Sequence, residues 1–169
     1  MRATNHPIRA TVHACPAMIA AWLALGLDFE ATQHDGPVTS LPEAAAARGV
    51  DVNDLVKTLV VRRGPDDYVF VLVPGDREFS WPKLRALLGV SRLSMPDAAT
   101  AREATGYERG TITPIGSAND WPVYADASIR GRRIAMGAGA HGYSLFVDAD
   151  ALIAAYGATV ADISQPASA

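Results

Sequence analysis

Two neighbouring apolar segments constrain the fold of this chain more than any other feature of its sequence. Residues 55–61 read Leu-Val-Lys-Thr-Leu-Val-Val, and residues 68–73 read Tyr-Val-Phe-Val-Leu-Val. Short apolar runs rich in β-branched residues are typical of buried strands. The intervening Gly64-Pro65-Asp66-Asp67 favours a turn. The two segments therefore predict a β-hairpin in the interior of the protein.

Helices and further strands are interspersed along the rest of the chain without a regular alternation. The sequence predicts helices over residues 12–25, 40–48, 80–88 and 96–106, and one that follows Asp148 and ends at Tyr156. Further strand candidates are residues 29–32, 92–95, 123–126, 133–136 and 143–148. This order favours a mixed-sheet α+β fold over a doubly wound one. We expect one domain over residues 1–169, with flexible ends at about 1–10 and 165–169.

Composition narrows the possible classes of protein. A chain of 169 residues is long enough for one domain with a substantial core. Its net charge of −3 means that any nucleic-acid partner must be held by a local basic patch or a pocket for its end. The single cysteine, Cys15, excludes an internal disulfide and a cysteine-based zinc cluster. Because the sequence lacks an apolar run of about 20 residues, a cytoplasmic protein without a membrane partner is the default expectation.

Lys57 is the first candidate functional residue. The chain has 13 arginines but only two lysines, and this lysine interrupts an apolar strand. A buried ammonium group is costly unless an anion lies nearby, and a phosphate is such an anion. The alternative is an edge position from which the side chain reaches water.

Two glycine-rich segments are the other candidates. The first contains two hydroxyl side chains and a proline between glycines, and it comprises Gly110, Thr111, Ile112, Thr113, Pro114, Ile115 and Gly116. The second is Gly137-Ala138-Gly139-Ala140-His141-Gly142, which lies between two strand candidates. Glycine allows a ligand to approach the backbone closely, although most such segments are only turns. The second segment resembles a dinucleotide-binding fingerprint, but a strand follows it where that motif requires a helix.

The usual catalytic motifs are missing from the sequence. It has no serine nucleophile elbow, no His-x-x-x-His pair and no metal-spaced carboxylates. We therefore expect no metal and no cofactor. What remains is a site that positions a reactive ester for attack by water or by a group of the substrate.

Three motifs in this order resemble one known family. They are Val56-Lys57-Thr58-Leu59, the segment 105–116 with its Gly-x-x-x-Pro spacing, and Ala135-Met136-Gly137-Ala138-Gly139 leading to Phe146-Val147-Asp148. Together they look like the YbaK family, which includes the editing domain inserted in bacterial prolyl-tRNA synthetases. The resemblance covers residues 17–163.

The resemblance implies a fold, an activity and a set of site residues. It implies a curved, mainly antiparallel mixed sheet, flanked by helices, with a pocket for the 3′ end of mischarged tRNA. Lys57 would contact the terminal nucleotide, residues 110–114 would line the aminoacyl pocket, and Gly116, Gly137, Gly139 and His141 would bind substrate. Hydrolysis would be assisted by a 2′-hydroxyl or a thiol of the substrate. The amino acid would be small: alanine, cysteine or serine.

Other functions remain open on the sequence alone. The chain is alternatively a non-catalytic module that binds tRNA or a nucleotide, or a regulatory protein that docks an aminoacyl-tRNA synthetase. A basic patch for the acceptor stem is a further hypothesis, with solvated turn residues as its alternative; it comprises Arg62, Arg63, Arg130, Arg132 and Arg133. Nothing in the sequence indicates an oligomeric state.

Overall fold

A computed structural model describes residues 25–27, 29–33 and 40–167. The strands are β1 Phe29–Gln33, β2 Val56–Gly64, β3 Asp67–Pro74, β4 Arg77–Phe79, β5 Val123–Asp126, β6 Arg133–Gly137, β7 Tyr143–Asp148, β8 Thr159–Ala161 and β9 Ser164–Pro166. The α-helices are α1 Leu41–Arg48, α2 Trp81–Leu88, α3 Ala98–Thr105 and α4 Ala149–Tyr156. Of the helix predicted over residues 12–25, all but Leu25 lies outside the described residues, as does Cys15.

The boundaries of the four helices follow from local sequence. Each begins after a serine or aspartate whose side chain accepts a backbone N–H of the first turn, and each ends at a glycine with a left-handed backbone. The capping residues are Ser40, Ser80, Asp97 and Asp148. These helices therefore stop and start where the sequence predicts, within one or two residues.

Two main sheets build the fold. One has the order β2-β3-β5-β8, in which β2 and β3 are antiparallel while β5 and β8 run parallel to β3. The other is antiparallel throughout, in the order β1-β7-β6. A single parallel bridge between Leu55 and Ala135 links the two sheets. The mixed α+β class is thus confirmed, with the expected sheet divided into two parts plus the small pair β4-β9.

The predicted hairpin separates two apolar cores. On one face of β2, Val56 and Val60 pack into the larger core with β6, β7 and α4. On the opposite face, Leu59 and Val61 pack into a second core with Leu84 of α2. Since side chains alternate along a strand, Lys57 lies on the same face as Leu59 and Val61.

Two predictions about local structure were wrong. Residues 92–95 do not form a strand; Ser94 alone makes a bridge, to Arg62. The tail after Ser164 was expected to fray, but Ser164–Pro166 pairs with Arg77–Phe79 in the antiparallel sheet β4-β9. Both three-residue strands are too short to be seen as patterns and exist because they pair with each other. None of the helices in the described part of the chain is long and apolar enough to cross a membrane.

Asp126 provides a test of how the end of the fold is held together. This residue is only 2% exposed, and its carboxylate accepts the N–H of Ile163 at 3.1 Å and that of Ser128 at 3.2 Å. Burial by itself would raise the pKa of Asp126, but hydrogen bonds from Ser128, Ile163 and Ser164 outweigh it and hold the pKa below its ordinary value of 3.8.

We expect Asp126→Asn to lower the free energy of unfolding at pH 7 by about 1–3 kcal/mol, because an amide oxygen replaces a charged acceptor. A carboxyl whose pKa is depressed in the folded state stabilises the protein above its unfolded pKa and loses that effect as the pH falls through the folded value. Urea unfolding of both proteins should therefore give a difference that shrinks below pH 3.8. A difference that is constant from pH 7 to pH 3 would contradict this.

Candidate functional site

Residues 110–116, which we call the Gly-Pro loop, form the centre of the site. The five residues Thr111–Ile115 are all buried. The backbone N–H and the hydroxyl of Thr111 both donate to the carbonyl of Glu108, at 3.0 and 2.7 Å. At the other end, the hydroxyl of Tyr107 donates to the carbonyl of Ile115 at 2.8 Å. The loop is therefore anchored at both ends rather than being a solvated turn.

The Gly-Pro loop lies directly over the end of β6. A Cβ atom added to Gly137 would lie 2.8 Å from the carbonyl oxygen of Ile112 and 2.9 Å from that of Thr111. In addition, the N–H of Gly139 donates to the carbonyl of Thr111 at 2.9 Å. Only glycine permits this approach at residue 137, so the two glycine-rich segments of the sequence form one structure.

His141, in the second glycine-rich segment, contacts a residue that lies just before the Gly-Pro loop, at the protein surface. Its Nε2 lies 2.9 Å from Oε2 of Glu108, and Nη1 of Arg102 lies 3.9 Å from the other carboxylate oxygen. All three side chains are exposed. A depression of about 310 Å³ adjoins this group, lined by Arg102, Glu108 and Arg109 with two alanines of α3. Glu108 was not among the predicted site residues, although it lies within the quoted motif.

Lys57 is half-buried on β2, and its ammonium group donates to the carbonyl of Arg77 at 2.8 Å. Burial lowers the pKa of Lys57 below its ordinary value, and the carboxylates of Glu78 and Asp76 oppose that effect in part. The edge position is thus correct, since β2 is the outer strand of its sheet, but the ammonium group does not extend freely into water because it donates to the backbone of β4.

The register between the two sheets relates Lys57 to the Gly-Pro loop. Leu55 and Ala135 form the parallel bridge, and Lys57 and Gly137 each lie two residues further on. Because side chains alternate along a strand, positions 57 and 137 face the same side of the sheets as the bridged positions 55 and 135. The loop covers Gly137 on that side. The described hydrogen bonds do not join Lys57 to the loop, and neither Lys57 nor residues 110–116 line the depression beside Glu108.

Three polar groups near these residues lack a partner in the described part of the chain. The hydroxyl of Thr58 is buried without a hydrogen bond. The backbone N–H groups of Ile112 and Thr113 likewise donate to no residue among 25–27, 29–33 and 40–167. A buried polar group without a partner costs about 1–3 kcal/mol, so the two N–H groups are able to take an acceptor from outside the described residues, whether it belongs to a ligand or to another part of the chain.

The comparisons with known proteins point in one direction. Residues 35–155 match the family model of the aminoacyl-tRNA editing domain. The chain belongs to this family. It is 37% identical to the proline–tRNA ligase of Thermosipho melanesiensis over 97 residues, and 39% identical to that of Desulfovibrio desulfuricans over 92 residues. These matches cover 57% and 54% of the chain but only 17% and 16% of the ligases.

A solved structure extends the similarity to almost the whole editing domain. A candidate trans-editing enzyme for prolyl tRNA synthetase superposes with a TM-score of 0.81 at 26% identity, over 89% of this chain and 98% of that one. The predicted membership of the YbaK-type editing family is therefore confirmed. The roles of the individual site residues are not tested by these similarities. In the described part of the chain, no three His, Cys, Asp or Glu side chains are grouped to hold a metal ion.

A substitution at Gly137 tests directly whether the Gly-Pro loop rests on the end of β6. We expect Gly137→Ala to lower the free energy of unfolding by about 1–3 kcal/mol, because the added methyl group overlaps the backbone of the Gly-Pro loop. Hydrogen exchange of the Gly139 amide should accelerate at the same time, since its acceptor is the carbonyl of Thr111. Gly64→Ala is the matched control, because the nearest atom to its new Cβ lies at 3.9 Å. Equal losses of stability in both variants would contradict the close contact between the Gly-Pro loop and Gly137.

Thr58 permits a second test. We expect Thr58→Val to raise the free energy of unfolding by about 1 kcal/mol, because it removes a buried hydroxyl that has no partner and keeps the side-chain shape. Thr111→Val is the contrasting variant and should lower it by about 1 kcal/mol, since that hydroxyl donates to Glu108. Denaturant unfolding of the three proteins provides the measurement. A loss of stability in Thr58→Val would show that this hydroxyl is satisfied.

Proposed function

We propose that the protein is a trans-acting aminoacyl-tRNA deacylase that removes small amino acids from mischarged tRNA. Water attacks the carbonyl carbon of the aminoacyl ester, the bond to the ribose oxygen breaks, and the products are the free amino acid and tRNA with both terminal hydroxyls restored. Family membership supports the editing role. The cytoplasm, where charged tRNA is used, is the proposed site of action.

The Gly-Pro loop is the observation that carries the proposal. Its carbonyls face Gly137, while the N–H groups of Ile112 and Thr113 have no acceptor among the described residues. N–H groups fixed in a rigid loop are suited to hold the oxyanion that forms when an ester carbonyl is attacked. One such donor contributes about 3 kcal/mol to the transition state, or about a hundredfold in rate. No side-chain nucleophile is then needed, and the 2′-hydroxyl of the substrate positions the water.

Lys57 is proposed to bind the terminal nucleotide rather than to take part in bond breaking. Its ammonium group is a compact charge suited to a phosphate, and Lys57 and Gly137 each follow by two residues the bridge that joins Leu55 to Ala135. A phosphate near this half-buried group would raise its lowered pKa and so favour the charged form. Gly116, Gly139 and His141 are proposed to shape the substrate side of the loop. The partners are mischarged tRNA and, in addition, an aminoacyl-tRNA synthetase.

A panel of charged tRNAs tests this function. We expect the purified protein to release the amino acid from alanyl-, cysteinyl- or seryl-tRNA, and threonyl-tRNA to react more slowly. Lys57→Ala should lower kcat/KM by about tenfold to a hundredfold, which corresponds to the loss of one hydrogen bond to a charged group. Lys57→Arg should recover part of that loss.

Lys83→Arg is the control, because Lys83 is the other lysine and an arginine there keeps the charge beside Asp162, 3.0 Å away, and a donor for the carbonyl of Ser164. Its kcat/KM should stay close to that of the original protein. If every charged tRNA remains intact while tRNA still binds, the chain is a binding module and not a deacylase. If neither hydrolysis nor binding occurs, a docking role with a synthetase replaces both.

A further inference from the structure

A cleft with basic walls opens at the tip of the β2-β3 hairpin. Its volume is about 590 Å³. We call it the arginine cleft, because four arginines line it together with two serines: Arg62, Arg63, Arg85, Arg92, Ser91 and Ser94. Four of the 13 arginines of a chain with net charge −3 are thus gathered in one place. A concentration of charge of this kind attracts an anion locally even though the whole molecule is acidic.

The charges in the arginine cleft are only partly neutralised by the protein. Arg63 makes a two-fold pair with Asp67, with both N···O distances 2.9 Å. Arg62 donates to the carbonyl of Gly64 at 3.2 Å, which leaves its charge unmatched. Arg85 and Arg92 pair with no carboxylate in the described part of the chain, and no acidic residue lines the cleft. The cleft therefore holds about three positive charges that lack a counter-ion among residues 25–27, 29–33 and 40–167.

The walls of the arginine cleft are held in place by the fold. Arg62 and Ser94 exchange two backbone hydrogen bonds, of 2.7 and 3.1 Å, which fix the segment after α2 against the end of β2. Arg85 projects from α2, and that helix is anchored by the fully buried Leu84. Because the guanidinium groups start from fixed backbone, less entropy is lost when a phosphate is bound.

The position of the arginine cleft relates it to the proposed ester site. Helix α2 packs on the face of β2 that carries Leu59 and Val61, which is also the face of Lys57. From Lys57 to Arg62 the strand advances five residues, or about 17 Å. By alternation Arg62 starts from the opposite face of β2, so Arg85 of α2 is the arginine that the cleft presents on the face of Lys57. Phosphates of a stacked strand are spaced by about 3.4 Å along the helix axis, so this distance matches about five nucleotides. If the last nucleotide of a tRNA lies at Lys57, the arginine cleft lies where the base-paired acceptor stem of that tRNA begins.

We propose that the arginine cleft binds the phosphate backbone of the tRNA acceptor stem. The identity of the RNA rests on the proposed function, whereas the phosphate chemistry rests on the cleft itself. Arginine is suited to this task because its planar donors bind phosphate oxygens in pairs. The alternative patch at the start of β6 is less suitable, since Arg132 pairs with Asp54 at 3.0 Å and Arg133 with Glu30 at 2.8 Å.

The salt dependence of tRNA binding tests the proposal. The variant is Arg62→Gln combined with Arg92→Gln, because both side chains are exposed and neither supports the core. The slope of the logarithm of the binding constant against the logarithm of salt concentration should become shallower by about 2, or about one per lost phosphate contact. The rival double variant Arg132→Gln with Arg133→Gln should leave the slope unchanged.

A truncated substrate separates this proposal from the proposed deacylase function. The Arg62→Gln, Arg92→Gln variant should hydrolyse alanyl-tRNA at least about tenfold less efficiently at subsaturating concentration, yet hydrolyse the alanyl ester of adenosine as fast as the original protein, because that ester has no upstream phosphates. An unchanged salt slope, or an equal loss on both substrates, would overturn the role of the cleft. If only the rival variant has a shallower slope, the acceptor stem binds at the start of β6 instead. If the original protein hydrolyses neither substrate, the deacylase function fails, but a salt slope reduced by the cleft variant still supports the cleft.

Discussion

The antiparallel pairing of β2 with β3 is the interaction on which the rest of the structure depends. It is the longest pairing among the described strands, and its two faces supply residues to separate cores. Because side chains alternate between those faces, the residue order Val56-Lys57-Thr58 directs a methyl pair, an ammonium group and a hydroxyl to defined sides of the sheet. A slip of one residue in this pairing would exchange the two sides and bury Lys57 in the larger core.

Much of the fold could be predicted because its signals are local. Helices α1 and α2 each lie between a capping serine and a terminal glycine, and both signals are read within ten residues. The strand candidates that proved correct are apolar enough to stand out. By contrast, β4 contains Arg77 and Glu78 and β9 contains Gln165 and Pro166, so neither has a strand pattern. They pair because the chain brings together residues almost ninety positions apart.

The site was predictable in part and for a different reason. The family motifs identify residues 110–116 and Gly137, and the structure explains their joint occurrence, since one backbone rests on the other. No local pattern shows that Asp54 and Glu30 neutralise Arg132 and Arg133, or that Arg85 and Arg92 meet Arg62 in one cleft. Those facts depend on long-range packing. Charge counts in a sequence therefore locate arginines, but only the fold decides which of them remain available to a polyanion.

The small sheet β4-β9 has a consequence for how this domain tolerates changes near its C-terminal strand. The ammonium group of Lys57 donates to the carbonyl of Arg77. The guanidinium group of Arg77 donates in turn to the hydroxyl of Ser164 at 2.6 Å. Ser164 is buried, and its carbonyl accepts from Lys83 at 2.8 Å. Strand β9 thus helps to hold in place the backbone carbonyl to which the ammonium group of Lys57 donates. A fusion junction or a protease cut between α4 and β9 would therefore disturb Lys57, far away in sequence, as well as the second core, to which Ile163 of the same segment belongs.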